Sequence, residues 1–241
     1  MTPASAVSGN GFPDQVIEVD GRTITVRPRR NKSARRITLR VDARGDCAIL
    51  TLPRRTSLKK GIGFAREKAG WLASKLAALP PLTPFADDAT VPFRGAPLLI
   101  RHFPLAGREP VRAEDVLYVP GEAERIPARV TDWMKAQARD ALDRTAAEKA
   151  RAIGRAPPPI GIRDPRARWG SCSARGRLSF SWRLIMAPPL VLDYVVAHEV
   201  AHLVHLNHGR GFREVVGRLA DAEDEARRWL AREGSGLHRY G

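Results

Sequence analysis

Four of the six histidines in this chain fall between residues 198 and 208. They lie in the run His198-Glu199-Val200-Ala201-His202, followed by His205 and His208. Leu192, Val195, Val196, Val200 and Leu203 recur at three- and four-residue steps, which predicts a helix opening at Pro188-Pro189 and ending near Leu206-Asn207. Residues four apart project from one helix face, so the rings of His198 and His202 can meet a single ion at about 2.0–2.1 Å each. Glu199 is rotated from His198 by about 100° and can reach a water on that ion without ligating it. A catalytic zinc takes three protein ligands and keeps one position open. On a straight helix His205 would sit about 10 Å along the axis from His198. His208 lies between Asn207 and Gly209, where the chain can turn back. The expected metal ligands are therefore His198, His202 and His208, with Glu199 as general base and Zn2+ as the ion. His205 is expected to pack or to orient the site, the two roles exchanging only if the helix breaks early. Cys172 is an upstream thiol that some zinc hydrolases would use, but with three histidines at hand it reads as a small buried residue.

The remaining chain sorts by period. Residues 16–19, 23–27, 37–41 and 48–52 read as strands, with hairpin signals at Asp20-Gly21 and Arg44-Gly45-Asp46. Residues 57–79 read as one helix stopped by Pro80-Pro81, residues 80–97 as a connection, and 98–103 with 116–119 as a further hairpin. A long helix is predicted over 126–153, ended by Gly154 and the triple proline 157–159. Strands at 160–163 and 178–182 flank Arg168-Trp169-Gly170-Ser171-Cys172-Ser173, and a last helix is predicted over 212–232. No internal repeat is legible.

Net charge is +15. Residues 1–110 hold 19 Lys/Arg against 9 Asp/Glu, and residues 27–40 hold seven basic residues and no acid. Such a strip attracts polyanions, so nucleic acid is a candidate partner through the basic N-terminal strip. Two distant cysteines, Cys47 and Cys172, make no disulfide framework, which points to a reducing cytoplasm. No apolar run is long enough to span a membrane, and the first 13 residues lack the features of a secretory signal and read as a flexible tail.

The blocks RWGSCS (168–173), RLSFSWRLI (177–185) and DYVVAHEVAHLVHLNHGRGF (193–212), with SARRITLRV at 33–41, resemble the YgjP-like metallopeptidases, a bacterial group related to the SprT-like zinc proteases. The resemblance runs from about residue 15 to 232. It implies an α+β fold: a compact zincin-type (gluzincin-like) core over 121–235, with an HExxH helix and an edge strand, preceded by a β-rich part with one helix over 14–120. It implies His198, His202 and His208 as zinc ligands, Glu199 as the base, a protein or peptide substrate, and residues 177–182 as the edge that pairs with it. Ser181 stands where the family pattern has asparagine. Metzincins have a glycine in place of His205 and a methionine turn downstream, whereas Met1, Met134 and Met186 all precede the motif. YbeY-like endoribonucleases share the histidine spacing but carry glycine in place of Glu199. The alternatives kept beside a peptidase are a three-histidine metal-dependent nuclease and a SprT-like protease active only when docked on DNA.

Overall fold

The computed structural model describes residues 12–105 and 107–241. Of the expected tail at 1–13, residues 1–11 lie outside the described residues. The chain is mixed α/β and divides into two compact units between Pro81 and Leu82. The division expected at 120/121 is therefore displaced. Phe85, Val91, Phe93, Leu98 and Ile100 belong to one continuous core with residues of the later helices, so residues 82–120 are part of the second unit.

The first unit opens with strands β1 (Gln15–Val19), β2 (Arg22–Arg30), β3 (Thr38–Asp42) and β4 (Cys47–Leu52). Their order is β1-β2-β4-β3: two hairpins joined by a parallel pairing of β2 with β4. Asp20 and Gly21 both take positive φ, as a tight two-residue hairpin turn requires. Helices α1 (Leu58–Glu67) and α2 (Ala69–Ala77) follow. They replace the single helix expected over 57–79, because Lys68 leaves helical geometry (φ −101°, ψ 12°). Ile24, Val26, Ala48, Leu50 and Leu52 pack with Ile62, Ala65, Ala69 and Leu72 into a separate core.

The second unit begins with β5 (Thr90–Phe93), β6 (Ala96–His102), β7 (Val111–Ala113) and β8 (Val116–Val119). Their order, β5-β6-β8-β7, repeats that of the first sheet, again with two hairpins and one parallel join. Part of the expected connection at 80–97 is thus strand, turning at Arg94-Gly95, both at positive φ. Helix α3 (Ile126–Ala152) buries Val130, Met134, Ala138, Leu142 and Ala146 along one stripe. Strands β9 (Ile160–Arg163), β10 (Gly170–Cys172) and β11 (Leu178–Ser181) form a sheet in the order β10-β11-β9. Helices α4 (Pro189–Ala201), α5 (Arg210–Leu219) and α6 (Glu223–Glu233) complete it. The expected single helix at 212–232 breaks where Ala220 becomes extended. Glu223, Asp224 and Glu225 then open α6, where the helix dipole favours negative charge. No helix among the described residues is long and apolar enough to cross a membrane.

Candidate metal centre

Helix α4 buries Val191, Val195, Val196 and Val200 and so fixes which way the polar residues between them point. The helix ends at Ala201, earlier than the expected Leu206-Asn207. His202 caps it, and Leu203, Val204 and His205 donate back to Val200 and Ala201 in a tight turn. Despite the early break, it is His208 and not His205 whose ring joins those of His198 and His202. The loop returns His208 to the helix: its Nε2 lies 3.2 Å from His198 Nε2. One ring nitrogen from each of His198, His202 and His208 lies within 4.8 Å of the others. Among the described residues this is the only such group of three potential ligands.

Two ligands at about 2.05 Å from a tetrahedral ion stand roughly 3.3 Å apart, so the spacing of His198 and His208 suits one shared cation. His205 serves through its backbone. Its carbonyl accepts from His202 Nδ1–H at 3.0 Å, which leaves His202 Nε2 as the nitrogen with a lone pair. The His205 ring lies against Gly211, where an added Cβ would come within 2.8 Å of it. Phe212, buried at the start of α5, sits 4.6–4.9 Å (ring centroids) from all three histidines. Burial, with His202 and His208 beside it, lowers the His198 pKa to about 4. A neutral imidazole is the form that binds metal.

Glu199 packs against Gly170 of β10. It is 7% exposed, and burial raises its pKa to about 7 against the opposing effects of Arg168 and a hydrogen bond from the Cys172 backbone N–H. Gly170 is necessary here: a Cβ on it would fall 2.6 Å from Glu199 Cγ and 2.8 Å from Oε1. Nothing local in the RWGSCS block announces this function. The spacing could not reveal it, because the contact is tertiary.

Residues 177–182 do not form the expected edge. Strand β11 is central, paired antiparallel with β10 and parallel with β9. The strand beside Glu199 is β10. Ser181 is fully buried, where its hydroxyl accepts from Arg183 N–H and its own N–H donates to the Trp169 carbonyl. Asp193 pairs with Lys149 Nζ of α3 at 2.7 Å. The Cys172 thiol lies outside the histidine group, donates to the Ser173 carbonyl, and has its pKa raised by burial.

Trp169 packs rather than lining an open cleft. It stacks on His238 (5.4 Å, 20°), and a Cβ at Gly234 would approach it to 3.2 Å. The segment carrying His238 is held by Arg183, the largest fully buried side chain. Arg183 donates to the Leu237 and Tyr240 carbonyls at 2.8 and 2.7 Å and pairs with Asp164 at 2.8 Å.

A sequence profile described as the YgjP-like metallopeptidase domain matches residues 35–233. Comparisons with curated proteins and with solved structures give no significant match.

Proposed function

The chain belongs to the YgjP-like metallopeptidase family, and on that premise we propose that it is a zinc-dependent peptidase with a zincin-type core, in which His198, His202 and His208 hold the ion and Glu199 is the general base. The gathering of three imidazole nitrogens within 4.8 Å of one another, on a helix that also carries a buried carboxyl group, carries this reading. A zinc ion in such a site supplies Lewis acidity and acidifies water. Glu199 takes the proton from the attacking water and returns it to the leaving amine. A carboxyl group with a pKa near 7 suits both transfers at neutral pH. The Cys172 N–H and the flat surface of Gly170 hold that carboxyl in place. Strand β10 is an outer strand beside Glu199, so an extended peptide would pair with β10 rather than with 177–182.

The test is metal content and hydrolysis of an unfolded protein by wild type, Glu199→Gln and His202→Ala. Wild type and Glu199→Gln should each hold about one zinc, His202→Ala should hold much less, and Glu199→Gln should lose on the order of 10³-fold in kcat. Absence of zinc from wild type sinks the proposal. Cleavage of RNA or DNA that survives Glu199→Gln would transfer the site to the nuclease reading.

A further inference from the structure

Residues 1–81 hold 16 Lys/Arg against 6 Asp/Glu, two thirds of the molecule's net charge in one third of its length. The fold concentrates that excess further. Strand β2 ends on Arg29 and Arg30, and the connection to β3 carries Lys32, Arg35 and Arg36, all three exposed. This connection is tied to the end of β4: Asn31 N–H donates to the Leu52 carbonyl at 3.0 Å, and Arg30 reaches the carbonyls of Pro53 and Arg54. Arg54 and Arg55, both exposed, are therefore brought beside the first group. A turn from Pro53 to Thr56 then leads into α1, whose first turn holds Lys59 and Lys60 and no acid. That is the opposite of what a helix N-terminus favours. No Asp or Glu occurs in residues 21–41 or 47–66. Two segments distant in sequence, 29–36 and 54–60, thus bring cations together at one end of one sheet, with no acid in either to offset their repulsion.

We propose that this end of the first unit binds the phosphodiester backbone of double-stranded nucleic acid. Duplex carries one charge per about 1.7 Å of axis, dense enough to neutralise several of these cations at once. The contact is a backbone contact, because the cluster offers charge and no free aromatic face for stacking bases: the Phe12 ring is covered by the Arg30 guanidinium at 5.2 Å. The large exposed apolar side chains among the described residues of the first unit, Val16 and Trp71, lie outside these segments, which disfavours a membrane surface, where insertion adds to charge. The structure adds Arg54, Arg55, Lys59 and Lys60 to the strip at 27–40, and the proposal does not depend on the peptidase reading.

The experiment is fluorescence anisotropy of a labelled 30-base-pair duplex of mixed sequence, titrated with the full chain. Wild type should bind, and binding should weaken by about 10³-fold between 50 and 200 mM salt if some six phosphates are neutralised. Arg35→Glu with Arg36→Glu, and separately Arg54→Glu with Arg55→Glu, should each weaken binding at least tenfold. An equal change of net charge in the second unit, Arg218→Glu with Arg228→Glu, should alter it less than threefold. Circular dichroism confirms that each variant is folded. The proposal is overturned if wild type does not bind, if the second-unit variant weakens binding as much as the others, or if phosphatidylserine vesicles bind while the duplex does not.

Discussion

The two four-stranded sheets share one strand order and the same kind of turn, yet they carry unlike chemistry. In the first unit the sheet and two helices are the whole scaffold, and what departs from local rules lies on the surface: cations beside cations, and lysines at a helix N-terminus. In the second unit the same sheet is one wall of a larger core, and the departures are buried or half-buried. They are Glu199 with a pKa near 7, His198 with one near 4, and Arg183 with almost no solvent. Topology did not select either chemistry. Depth decides the cost. Surface repulsion is screened by salt, whereas a buried charge is not and must be partnered within the protein.

Four variants bear on that contrast. Arg183→Met removes the fully partnered buried cation. It should destabilise the protein by about 3–5 kcal/mol in urea unfolding, equally at low and high salt. A strong salt dependence would break the comparison. Gly170→Ala places a methyl group against Glu199. It should lower kcat by about 10–100-fold with zinc retained, and destabilise by about 1–3 kcal/mol. Unchanged kinetics would mean that Glu199 can move freely. Glu199→Gln should stabilise the metal-free protein at pH 8 by about 1–3 kcal/mol. The folded pKa, near 7, lies above the unfolded value of 4.5. The penalty for the charged carboxylate is therefore complete above pH 7 and vanishes below about 4.5. Melting with a chelator at pH 8 and pH 5 should show the gain shrinking at the lower pH; a gain that grows would refute the buried-charge account. The smallest effect belongs to the surface. Arg35→Glu with Arg36→Glu should change stability by less than about 0.5 kcal/mol, and in the stabilising direction at low salt.

Helix α4 and the gathering of His198, His202 and His208 were legible because they rest on local rules: a 3.6-residue period, proline at the start, and a turn that returns His208. The basic strip was legible for the same reason, being contiguous. What escaped the sequence depends on contacts between distant segments. Phe212 looks like any apolar residue on a helix until the loop brings His208 beside it. Strand β11 is displaced from the edge by β9, a pairing that nothing in either strand announces. Gly170 reads as a turn residue, although its φ is not positive and its smallness is required by Glu199. Arg54 and Arg55 join the strip only because β2 and β4 pair in parallel.

The anchoring of residues 237–241 also sets an order of events. Hairpins and the parallel joins between them close short stretches of chain and can assemble early. Thr83, by contrast, is bracketed by the Arg239 carbonyl and the Gly241 N–H, and Arg183 waits for Leu237 and Tyr240. The Thr83 contacts close the longest loop among the described residues of the second unit and carry the greatest entropic delay. They also fix His238 over Trp169, whose neighbour Gly170 seats the carboxyl group. The histidines can gather as soon as α4 and α5 exist, but the seat for the Glu199 carboxyl is finished last. On the proposed function, metal capture and catalytic competence are thereby separated in time during folding, and a half-folded chain carries the first without the second.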